Sequence, residues 1–218
     1  MFIQSPANER KKRSIKIIKE KNIPFMDELP VITDDNEEVK IRSKKEIIER
    51  AIALHIVAIK GMSAEQEMVE ESINIFGAND FFTPREKEFI KNEKPTEQEK
   101  INFSWQLEWF WVMLWALGYV EELDYPSCAC DVSRAFDLFI ENGPYEQFFN
   151  KSKLRDTNTI LDQADLIYRY HWACVHCRLT WVETPSDLNP GVVAERLRAL
   201  NWLINDLDAE WDDVSTDS

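Results

Sequence analysis

Apolar positions along this chain recur mostly at spacings of three and four, the period of helices with one buried face. The densest stretch is INFSWQLEWFWVMLWALGYV, residues 101–120, which holds Trp105, Trp109, Trp111 and Trp115. From Trp109 to Val120 no residue is charged or strongly polar. A helix that is apolar on all sides belongs inside a protein. The run spans 12 residues, whereas a bilayer crossing needs roughly 20, and Asn102, Ser104, Gln106 and Glu108 prevent its extension. The pattern therefore predicts a mainly α, single-domain fold over residues 1–218, with other helices packed round a buried Trp-rich central helix at 97–118. Residues 1–7 read as a loose terminus and 205–218 as an acidic tail.

Helix boundaries follow from capping chemistry. Ser43 with Glu46, Ser63 with Gln66, and Thr96 with Glu99 have the spacing of capping boxes. Thr83-Pro84 with Glu86 is a start signal, as are Asp131, Asp156 or Thr157, and Asn189-Pro190. Gly61, Gly77 and Gly118 are stops. A basic helix with a narrow apolar stripe is expected from Asn8. Strands are expected in one place, as a small β-hairpin near residues 29–42 about the Asp34-Asp35-Asn36 turn. An extended loop is the alternative there.

Charge adds a second feature. The chain carries net −14, unevenly spread. Residues 1–60 hold 13 Lys/Arg against 10 Asp/Glu, and residues 61–218 hold 13 against 30. A body of net −17 resists nucleic acid, whose phosphates must be neutralised, and suits a basic protein partner. With no apolar N-terminal leader visible, the expected location is the cytoplasm, with no membrane contact.

Candidate chemistry is sparse. The sequence has no phosphate-binding glycine loop, no nucleophile elbow and no HExxH, so no reaction is assigned and no cofactor is expected. Glu108 is the odd residue of the central helix, because an unpaired buried charge is costly. On the helix of residues 158–181, Asp162, Asp165, Arg169, Trp172 and His176 share a face, with Asp165 and Arg169 spaced as an i, i+4 pair. His171 lies on the adjacent face. If that helix meets Glu108, then Glu108, Asp165, Arg169, His171, Trp105 and Trp172 line a polar pocket with aromatic walls, the usual form of a small-molecule site. A structural network between two core helices accounts for the same residues. Cys174, Cys177, His171 and His176 are the set that would hold a metal. Buried cysteine acting as a small apolar residue is the default, so no metal is expected. His55 is read as a core histidine.

The strings RKKRSI, RSKKEI, ERAIAL, FFTPREKEF, INFSW, LWALGY, ADLIYRYHWACV, ALNWL and WDDVSTD resemble an uncharacterised bacterial family labelled domain of unknown function 4272. The resemblance runs from Arg10 to Asp217. It implies neither an activity nor a catalytic residue. Two classes of function remain: an interaction domain whose acidic surface binds a basic protein, and a small-molecule binder or enzyme with the pocket described above.

Overall fold

The computed structural model describes residues 5–33 and 39–216. Its helices are α1 (Pro6–Glu20), α2 (Lys44–Gly61), α3 (Gln66–Phe76), α4 (Pro84–Lys91), α5 (Glu97–Ser104), α6 (Gln106–Ala116), α7 (Val132–Asn142), α8 (Tyr145–Lys151), α9 (Thr157–Thr180) and α10 (Pro190–Leu203). Short 3-10 turns follow α3, α9 and α10. The fold is all-α, with no strand among the described residues, and no described helix is long and apolar enough to cross a membrane.

Every residue of α6 is buried, Gln106 and Glu108 included. The core is nevertheless shared, because α2 is buried from Ile47 to Ala58 except Glu49. α2 packs on α5 and α6, α6 on α10, α10 on α9, and α9 on α1. The helix expected over 97–118 is divided at Trp105, where the Glu108 amide bonds the Trp105 carbonyl in a tightened turn, 3.1 Å. Before the break α5 lies on α2; beyond it α6 lies on α2 and also reaches α10. Gly118 closes α6 in the left-handed region at φ 81°, with the Tyr119 amide donating to the Leu114 carbonyl.

Most caps form as expected. Reciprocal capping boxes join Ser43 to Glu46, Thr83 to Glu86 and Thr96 to Glu99. The Ser63–Gln66 box does not form. Ser63 adopts φ 70°, and the Gln66 side chain instead accepts from Lys60 and donates to the Ile90 carbonyl and Glu70. α1 begins at Pro6, earlier than its apolar stripe shows, because Ser5 caps it and Pro6 fits the first helical position.

The hairpin expected near residues 29–42 is absent from the described part of that stretch; its turn, residues 34–38, lies outside the described residues. The described parts of the segment, 29–33 and 39–42, form no regular element. Leu29 is buried, Ile32, Val39 and Ile41 pack on the core, and the Arg42 amide donates to the Leu203 carbonyl at 2.9 Å rather than to a facing strand.

At Gly61 the backbone of α2 comes close to that of α5. A β-carbon there would sit 2.9 Å from the Ser104 nitrogen and 3.0 Å from the Lys100 carbonyl oxygen, both backbone atoms. Alanine gains about 1 kcal/mol of helix propensity over glycine, but overpacking against backbone costs more. Gly61→Ala is expected to destabilise the chain by a net of about 1–3 kcal/mol in chemical denaturation. A rise in stability would mean that α5 yields without cost.

Candidate functional site

The expected pocket residues go to different partners. The Glu108 carboxylate is 2% exposed and pairs with Arg196 of α10, Nε to Oε2 at 3.1 Å. Its other oxygen accepts from the Cys130 amide, and Arg196 also donates to the Asp124 carbonyl. Asp165 and Arg169 form two hydrogen bonds, both 2.9 Å, with exposures of 0% and 2%. Arg169 donates further to the Pro30 carbonyl. Asp162 turns to Arg13 and Arg10 of α1. α10, which supplies Arg196, packs against both α6 and α9.

The aromatic members also separate. Trp105 is 40% exposed, and its ring lies over Gly191 at the start of α10, 3.6 Å from where a β-carbon would stand. Trp172 stacks on His176 one turn along α9, with centroids 4.9 Å apart. His171 is half-buried. Cys174 and Cys177 are buried free thiols, and burial pushes the Cys174 thiol up to about 11. Burial and the nearby Glu108 carboxylate push the Cys130 thiol up as well. Neither thiol is prepared to be a thiolate at neutral pH. Among the described residues no three His, Cys, Asp or Glu converge as a metal-binding set.

A cleft lies elsewhere, at the start of α2, before α4 and against the C-terminal segment, with a volume of about 610 Å³. Its apolar wall is Phe81, Phe82, Pro84, Trp202 and Trp211. Six acidic residues line it: Glu46, Glu49, Asp80, Glu210, Asp212 and Asp213. They face two arginines, Arg42 and Arg50. Asp80, Glu210 and Asp213 are exposed at the rim.

Trp211 holds this wall in place. Its ring sits edge-on between Trp109 and Trp202, with centroids 5.1 and 5.0 Å away. Arg50 lies over its face at 4.8 Å, and Arg42 lies over Trp202 at 5.1 Å. Arg50, 5% exposed, is paired with Glu86 of α4, 1% exposed. The Glu86 oxygen that takes Arg50 also accepts the Thr83 amide of its capping box. Sequence reading marked 205–218 as an acidic tail and Thr83-Pro84 with Glu86 as a helix start. It missed the cleft, because no periodic pattern joins residues 42–50, 80–84, 202 and 210–213.

No curated protein and no solved structure matches this chain. The profile of one family, described as Domain of unknown function (DUF4272), matches residues 10–214. That span reaches from the first turns of α1 to the Trp211 segment, so the chain belongs to the family of the domain of unknown function DUF4272.

Proposed function

We propose that this chain is a cytoplasmic protein-interaction domain whose acidic body receives a basic protein partner and not nucleic acid. The observation that carries this reading is the cleft beside Trp211, where six acidic residues face two arginines over an aromatic wall. Apolar surface lined by an excess of one sign of charge suits a partner of the opposite sign, which it steers and orients. The reading of a small-molecule site at Glu108, Asp165, Arg169 and His171 draws less support. Glu108, Asp165 and Arg169 are matched within the fold, whereas the rim carboxylates stand open at the surface.

Affinity capture with the full chain tests this. A basic protein is expected to be retained at low salt and released by about 0.5 M salt, where the Debye length falls to only a few ångströms. Capture of no salt-sensitive protein, or retention of nucleic acid in its place, overturns the reading.

A further inference from the structure

Besides its acidic rim, the cleft has unmatched hydrogen-bonding groups at its floor. Arg50 and Trp211 line it, are 5% and 6% exposed, and carry donors without an acceptor, Arg50 Nε and Trp211 Nε1. Glu86, bonded to Arg50 and 1% exposed, carries an acceptor without a donor, Oε1. Buried polar groups are rarely left unpaired, and each orphan calls for an explanation. Two of these orphans, both donors, belong to residues that line the cleft, and the Glu86 oxygen lies behind Arg50 on α4. Other lining residues are matched: Thr83 is held in its capping box, and Arg42 donates to the Ala209 carbonyl at 2.7 Å.

We infer that the cleft is the socket for a basic residue in a peptide segment of the partner. This inference rests on the reading proposed above and names the site and its ligand chemistry. A lysine or arginine side chain supplies a cationic head for Asp80, Glu210 and Asp213, and an aliphatic stem for the wall of Phe82 and Trp202. The peptide carbonyl supplies the acceptor that Arg50 and Trp211 lack. A free polyamine shares the cationic head but has no acceptor, so it leaves the Arg50 and Trp211 donors unmatched.

The test uses the full chain and three probes: a capped heptapeptide with one central arginine, the same peptide with norleucine there, and spermidine. The readout is the indole N–H resonance of Trp211 during titration. The arginine peptide is expected to shift that resonance and to bind at least tenfold more tightly than the other two probes. The triple variant Asp80→Asn, Glu210→Gln, Asp213→Asn alters only exposed groups, and its helicity is expected to match the parent while its peptide affinity falls at least tenfold. Trp211→Phe keeps an aromatic ring, smaller than the indole, and removes the donor. It is expected to weaken the peptide several-fold and to leave spermidine unchanged. Equal binding of spermidine and the arginine peptide overturns the peptide assignment, as does failure of the arginine peptide to bind. A captured basic protein that holds the triple variant as tightly as the parent overturns the cleft as the site and leaves the interaction-domain reading standing. Absence of any salt-sensitive partner removes both.

Discussion

Replacing Arg196 with methionine is expected to lower the unfolding free energy by about 3–5 kcal/mol in urea denaturation. The size follows from what is left behind. Glu108 is 2% exposed and sits in a helix buried all round. Without the guanidinium its charge keeps the Cys130 amide but loses its counter-ion. The Asp124 carbonyl loses its donor in the same step. Glu108→Gln alone leaves the converse fault, a buried cation with a neutral neighbour. The double variant Glu108→Gln, Arg196→Met removes both charges and keeps an acceptor for Cys130. It is expected to recover much of the loss, because a buried ion pair is strongly missed only when half of it goes. Single losses that simply add in the double variant would refute the pairing. A strongly favourable coupling would assign Glu108 a structural role, whatever the chain binds elsewhere.

That pair shows where sequence reading succeeds and where it stops. Glu108 stands out as a carboxylate at the edge of an apolar run, so the need for a partner is legible. The partner is 88 residues away on α10, where no local spacing points to it. Asp165 with Arg169 is the opposite case, since both ends lie on one helix four residues apart. Caps at Ser43, Thr83, Thr96, Asp131, Asp156 and Asn189 were legible for the same reason: each bond closes within three residues. The Ser63 motif failed because Gln66 found better partners in Lys60 and the Ile90 carbonyl. Burial on both faces of α2 escaped notice because its exposed-looking Arg50 and Lys60 are held inside by Glu86 and the Ile90 carbonyl. The cleft is the hardest case. Its rim joins residue 80 to residue 213, and each segment alone reads as a cap or a solvated tail.

His55 provides the second large effect, and it is one of pH. Its ring is 7% exposed, stacked on Phe139 with centroids 3.9 Å apart, and edged by Phe110 and Phe136 at 5.4 and 5.1 Å. The Nδ1 atom has no hydrogen-bond partner. Burial among these rings opposes the charged form and lowers the pKa from 6.5 to about 3. The folded chain therefore binds fewer protons than the unfolded chain wherever the pH lies between those values. The stability tied to neutral His55 is fully present above pH 6.5 and is lost as the pH falls through the window toward 3. At one proton per molecule, the loss reaches about 3 kcal/mol by pH 4.5. Carboxylates held low by their caps, such as Glu46 and Asp156, also favour the folded chain at neutral pH and weaken it in acid, so the histidine must be isolated by difference. His55→Leu retains an apolar side chain against the phenylalanines and removes the titrating group. Its urea stability, measured at pH 7 and pH 4.5, is expected to fall by about 3 kcal/mol less than that of the parent. Equal losses in the two proteins would mean that the ring gains a partner or solvent when protonated. A parent whose stability is flat from pH 7 to pH 4.5 would show that His55 is not sealed among the aromatic rings of α6 and α7.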